Sequence, residues 1–204
     1  VHRFYLNGLV GGGHAFAQFP STRDDLDCDY FGTSLHKWLS APVGTGFLYV
    51  RRAKIKSIWP LFAAPAEMDD NIRKFEAIGT FPVHIRNPIT EALDFHEAIG
   101  PERKAARLRF LRRRWTRHVA QFPRVKLLTP DDDAQSCALG AMSVDGLTGP
   151  QLVEHLMTKH RIHVRARIVP NEFSCIRVTP NVYTTVAEID AFARAIELLA
   201  TKGL

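Results

Sequence analysis

The chain has 204 residues, 46% of them hydrophobic and 24% charged, with a formal net charge of +6 at pH 7. That is the make-up of a globular protein long enough to bury a sizeable core, as one large domain or two small ones. No run of about 18 apolar residues and no basic-then-apolar leader occurs, so neither a membrane span nor export is expected and the cytoplasm is the default location.

In chain order, Leu6 to Ala17 reads LNGLVGGGHAFA, a short apolar stretch entering three consecutive glycines. This is a strand running into a turn with exposed or strained backbone. After the polar turn STRDDLD come an apolar segment, Cys28 to Ser34, and the run GFLYV, Gly46 to Val50, which is typical of a buried strand. Three short strands open an α/β layer. Ala63 to Pro88 holds several prolines and little periodicity, so it reads as an extended connection containing a domain boundary, with domains at 1–88 and 89–204. Thr90 to Phe122 turns helical, broken at IGPERK, with Pro101 near the first turn of a new helix. On that helix Ala105, Leu108, Leu111, Trp115 and Val119 recur at spacings of three and four and form one apolar stripe. The last third reads as strands at VKLLTP and CALGAMSV, a helix from Pro150 to His160, strands at IHVRA and CIRVTP, and a helix from Thr185 to Ala200 with Thr185 and Glu188 at capping-box spacing. That order describes a small α+β domain with a partly antiparallel sheet.

Lys37 stands in DYFGTSLHKWLSAPVGTGFLYV, residues Asp29 to Val50. An arbitrary lysine in a loop is a solvated charge. Here Thr33, Ser34 and His36 bring hydroxyls and an imidazole close in sequence, and Pro42, Gly44 and Gly46 shape the return. Hydroxyls, exposed backbone N–H groups and a histidine suit a phosphate, and an amine beside them suits an aldehyde. Together these are the needs of pyridoxal phosphate.

This segment, followed much later by IRVTPNVYTTVAEIDAF, resembles the class V aminotransferase family of fold-type I pyridoxal-phosphate enzymes, which includes isopenicillin N epimerase-like proteins and cysteine desulfurases. The resemblance runs from about Val10 onward. It implies an α/β fold, namely the C-terminal portion of a PLP-dependent transferase large domain with a short, mainly parallel sheet, plus a small α+β C-terminal domain. It also implies a PLP-dependent aminotransferase or epimerase acting on a small amino acid, and a homodimer. Lys37 matches the lysine that bonds the cofactor and later moves a proton at the substrate carbon, and Ser34 and His36 match its phosphate contacts. Gly79 and Thr80, in FEAIGTFP, match the loop that reaches the phosphate of the neighbouring subunit. Arg177 matches the arginine that pairs with the substrate carboxylate, and His14 the residue that meets the ring oxygen.

Two features depart from the family pattern. Members usually read Val-Asp-Gly-Ala-His where this chain reads VGGGH, so Gly11 replaces the aspartate that pairs with the pyridine nitrogen. Members also carry well over a hundred residues ahead of this strand, so the chain is expected to be incomplete on its own. A truncated, inactive homologue kept as a folded dimeric or binding protein is therefore the alternative to the enzyme. Cys28, Cys137 and Cys175 form no CxxC and read as buried small residues, which makes desulfurase the weaker subfamily choice. PERKAARLRFLRRRWTRH carries a third reading, an anion- or nucleic-acid-binding face. Because Trp115 lies on the apolar stripe, a solvated arginine face is preferred there. No histidine spacing supports a metal site, and PDDDAQ reads as a turn.

Overall fold

The structure, a computed structural model, describes residues 8–203. Leu6 and Asn7, at the start of the expected first strand, lie outside the described residues. The chain divides into two compact units, one ending at Pro101 and one beginning at Glu102.

The first unit holds β1 (Leu9–Gly11), the one-turn helix α1 (Arg23–Leu26), β2 (Tyr30–Ser34), β3 (Gly46–Val50), four short 3-10 turns between Arg52 and Ile85, and α2 (Ile89–Ile99). The boundary expected from the sequence, 1–88 and 89–204, puts α2 in the C-terminal domain. It belongs with the first unit, where Ala92 and Phe95 line a cleft together with Ala41 and Pro42. Periodicity marks a helix, but not the neighbour that it packs on. The sheet runs in the order β1-β2-β3. Its β1–β2 ladder is parallel and its β2–β3 ladder antiparallel, so the expected mainly parallel order holds for one ladder only. The eleven residues between β2 and β3 form a loop without a helix, and a parallel return needs a longer crossover. One face of this sheet gathers Phe16, Phe31 and Phe47, with the rings of Phe16 and Phe47 edge-on at 5.3 Å.

The second unit contains α3 (Pro101–Val119), β4 (Val125–Leu127), β5 (Gly140–Val144), α4 (Gly149–His160), β6 (Arg165–Val169), β7 (Phe173–Val178) and α5 (Val186–Lys202). Its sheet has the order β4-β5-β7-β6 and every ladder is antiparallel, where only part had been expected to be. β6 also starts three residues later than the run IHVRA implied. Arg161 takes a left-handed conformation (φ 57°) and closes α4, and Ile162 N–H donates to the Leu156 carbonyl at 3.0 Å. The apolar alternation of Ile162 and Val164 therefore belongs to a helix exit packed on the core. The stripe on α3 is buried as its spacing requires: Leu108, Leu111, Trp115 and Val119 are all 0% exposed. Trp115 meets Phe192 of α5 edge-on at 5.4 Å. Met142 of β5 and Ile176 of β7 fill the same core from the sheet, so one sheet face is covered by the helices. Thr185 caps α5 in a capping box with Glu188.

Candidate active site

The loop between β2 and β3 is held by its apolar residues and presents its polar ones. Leu35, Trp38, Leu39 and Ala41 are buried, whereas Ser34, His36 and Lys37 are only half-buried. Backbone bonds close the loop, from Leu35 N–H to the Thr45 carbonyl at 3.0 Å and from Ala41 N–H to the Leu35 carbonyl at 3.2 Å. The Thr45 hydroxyl donates to the Pro42 carbonyl at 2.7 Å. Ser40 (φ 67°) and Gly44 (φ 93°) take the left-handed conformations that turn the chain back. These bonds and turns fix the backbone on both sides of Lys37.

The glycine turn after β1 is bound to this loop across the sheet. Gly12 N–H donates to the Gly32 carbonyl at 2.8 Å, and the Thr33 hydroxyl donates to the Gly12 carbonyl at 3.1 Å. A Cβ on Gly12 would fall 2.1 Å from the Phe31 ring, so only glycine fits. A Cβ on Gly13 would stand 3.3 Å from Lys37 Nζ and 3.9 Å from Ser34 Oγ, which places both groups against that backbone. Thr33 was named for its hydroxyl, and its actual work is to tie the two segments together. His14 is exposed just beyond, and its carbonyl accepts from the buried side chain of Gln18.

Among the described residues, Lys37 makes no hydrogen bond or ion pair, and His36 Nδ1 is buried without a partner. An amine left free and an orphaned imidazole nitrogen fit a ligand that carries an aldehyde and a phosphate, because a buried polar atom without a partner is costly. The fit fails at one point. A Cβ on Gly11 would meet nothing within 4 Å, so there is room for a side chain where the family's aspartate would be, yet no carboxylate stands there. Gly79 (φ 76°) and Thr80 lie in an exposed turn, with open space around Gly79. They are not part of the Lys37 cluster. Near that turn, Phe47, Phe75, Ile78 and Phe81 line a cleft of about 590 Å³.

Arg177 lies on β7 in the second unit. Its Nε is buried and has no hydrogen-bond partner, and its pKa is pushed down, first by burial and then by Arg167 and Arg165. Burial also pushes the thiols of Cys137 and Cys175 up, and all three cysteines are buried, so none is a ready nucleophile. On α3 four of the seven arginines reach aspartates. Arg112 and Arg113 reach Asp131, Arg113 and Arg109 reach Asp133, and Arg114 grips Asp190 at 2.5 and 2.8 Å. Among the described residues no group of three or more His, Cys, Asp or Glu is placed to hold a metal, and no helix is long and apolar enough to cross a membrane.

Known proteins are similar to this chain in sequence and fold. Isopenicillin N epimerase of Streptomyces clavuligerus is 29% identical over 95% of this chain and 53% of its own length. The apo structure of a cysteine desulfurase from Thermococcus onnurineus superposes with a TM-score of 0.82 at 21% identity, covering 96% of this chain and 52% of that one. A lyase variant with glycine covalently linked to its PLP cofactor superposes with a TM-score of 0.72 at 21% identity, over 90% of this chain and 49% of that one. The chain thus spans about half the length of the relatives it matches. The family model Aminotransferase class-V matches residues 9–192, and with the Lys37 loop in place the chain belongs to the class V aminotransferase family.

Proposed function

We propose that the chain supplies the cofactor-bonding lysine and the carboxylate-binding arginine of a pyridoxal-phosphate enzyme that transforms an amino acid at the carbon bearing its amine, by transamination, epimerisation or elimination. The observation that carries this reading is the convergence of Lys37 Nζ and Ser34 Oγ on the Gly13 backbone. When bound, pyridoxal phosphate supplies an aldehyde for covalent attachment and a conjugated ring that spreads charge from the substrate carbon. Ser34 and His36 would hold its phosphate, and His14 would meet its ring oxygen. Gly79 and Thr80, exposed in their own chain, would serve the phosphate of a second copy in a homodimer. Lys37 Nζ would be the amine to which that aldehyde attaches, and would hold or carry a proton at the substrate carbon. Arg177 offers two parallel N–H donors to the substrate's α-carboxylate.

The 204-residue chain treated with pyridoxal phosphate and then borohydride is expected to carry a pyridoxyl group on Lys37, found by peptide mass spectrometry. Lys37→Ala is expected to carry none. A wild-type chain without that label refutes the reading. Gly11 favours a second reading, a homologue that binds the cofactor without turning substrate over, since no carboxylate is there to support a proton on the ring nitrogen. That reading expects labelling of Lys37 with no turnover, and a gain of activity in Gly11→Asp, for which the space is open. Wild-type turnover at about 1 s⁻¹ or faster would overturn it.

A further inference from the structure

Three arginines that have no carboxylate partner among the described residues lie together on the second sheet. Arg165 of β6 is the register partner of Arg177 of β7, and Arg167 follows two residues later opposite Cys175. Directly opposed residues on an antiparallel pair share a face with Cβ atoms about 5 Å apart, and residues two apart on a strand return to that face after about 7 Å. Arg165, Arg167 and Arg177 therefore share one face, opposite the face from which Ile176 and Val178 enter the helix-covered core. Among the described residues no carboxylate forms an ion pair with any of the three, and Arg177 Nε is buried and unbonded. Arg167 has one hydrogen bond, to the carbonyl of Ala166.

Like charges placed directly opposite each other destabilise a sheet pair. A cluster of this kind persists most readily where an anion neutralises it. A single α-carboxylate occupies one guanidinium fork, and on the reading above that fork is Arg177. The charges of Arg165 and Arg167 then remain. We propose that they recognise a second acidic group, so that the amino acid taken here is one with an acidic side chain, about the size of aspartate or glutamate. Arg165 directly opposite Arg177, about 5 Å away between Cβ atoms, and Arg167 on the diagonal suit the separation of the two acid groups of such a molecule. The side-chain selectivity is thereby assigned to an exposed edge strand next to the carboxylate arginine, and it rests on the reading of Arg177 as that arginine.

The test is a comparison of L-glutamate with L-norvaline, which keeps the chain length and removes the second carboxylate. Dissociation constants are measured by ligand-detected NMR on the full chain without cofactor, and again with pyridoxal phosphate. Glutamate is expected to bind about tenfold tighter than norvaline, because a charge-assisted hydrogen bond is among the stronger polar contacts. Arg165→Gln and Arg167→Gln are expected to erase most of that preference while leaving norvaline unchanged, and Arg177→Gln to weaken both ligands. Both strand positions are exposed, so the substitutions leave the core alone, and Arg167→Lys serves as a charge-keeping control that retains part of the preference. Equal affinity for the two amino acids, or a preference that survives loss of both strand arginines, overturns the proposal. Displacement of glutamate by inorganic phosphate at equal or lower concentration also overturns it, in favour of a phosphate site. The outcome separates from that of the enzymatic reading. A glutamate preference without a pyridoxyl group on Lys37 sinks only the chemistry, and a labelled Lys37 without the preference sinks only this inference.

Discussion

Two sets of arginines in the second unit are used in opposite ways. On α3, Arg109, Arg112, Arg113 and Arg114 are each matched to an aspartate, and Arg112 is 1% exposed, with further bonds to the carbonyls of Cys137 (2.9 Å) and Pro130 (3.3 Å). On β6 and β7, Arg165, Arg167 and Arg177 face one another with no carboxylate partner among the described residues. The arginine-dense helix is the feature that a charge count singles out, yet its charge is largely spent inside its own unit. The sparser cluster on the sheet keeps its charge available. A basic run identifies a binding face only when its counter-charges are missing, and counter-charges are a tertiary property.

The sharpest way to break this comparison is to remove one arginine from each set, the buried Arg112 and the half-buried Arg177. Arg112→Met leaves the Cys137 carbonyl without its donor and takes one of two arginines from Asp131. It is expected to cost about 2–4 kcal/mol, below the full cost of a broken buried pair because Asp131 is half-exposed. Arg177→Met removes a guanidinium that opposes two like charges and is expected to stay within about 0.5 kcal/mol of wild type. Denaturant midpoints with unchanged slope measure both. A costly Arg177→Met beside a harmless Arg112→Met would invert the assignment.

The stripe on α3 and the capping box of α5 were legible because helical spacing and Thr185 with Glu188 lie within a few residues of each other. The Lys37 segment was legible for the same reason, since its anchors and its reactive groups alternate within one loop. The pairing of α3 was not legible. Asp131 and Asp133 stand in the stretch read as a simple turn, and Asp190 lies 76 positions beyond Arg114. The tie from Thr33 to Gly12 joins positions 21 apart, and a motif search credits such a hydroxyl to the phosphate before it credits it to the fold. The alternation of Arg165 and Arg167 beside Arg177 was visible as letters, and it acquired meaning only when the β6–β7 register set them face to face.

Acid separates the two sets by a smaller effect. The bond from Arg113, then the one from Arg112, holds the Asp131 carboxyl below the ordinary carboxylate range, and the bond from Arg114 does the same for Asp190. A carboxyl depressed in the folded state binds fewer protons than in the unfolded chain, so its contribution is complete above the ordinary pKa of about 3.9 and is lost as pH falls through the folded value. The second unit is therefore expected to lose stability progressively below about pH 4. Asp131→Asn should lower the midpoint at pH 7 and flatten that acid limb. Arg177→Gln should leave the limb unchanged, because among the described residues no carboxyl pairs with it. A midpoint followed from pH 7 to pH 2.5 reads all three, and a limb insensitive to Asp131→Asn would show that the α3 pairs hold no such stability.

The smallest effect is the most discriminating, because the two sets should respond with opposite sign. Arg165→Gln removes a charge directly opposite Arg177 and is expected to stabilise by a few tenths of a kcal/mol at low salt. Arg114→Gln removes an exposed two-pronged pair with Asp190 and is expected to destabilise slightly. Both are interactions near the surface, so both should fade as the screening length falls to about 3 Å at 1 M salt. Glutamate adds a further condition. If the sheet arginines await an acidic ligand, saturating glutamate should stabilise wild type and leave Arg165→Gln with less of that gain, turning the variant's advantage into a deficit. A gain from Arg165→Gln that glutamate does not reverse would mean that the opposed charges on β6 and β7 repel without being answered by this ligand.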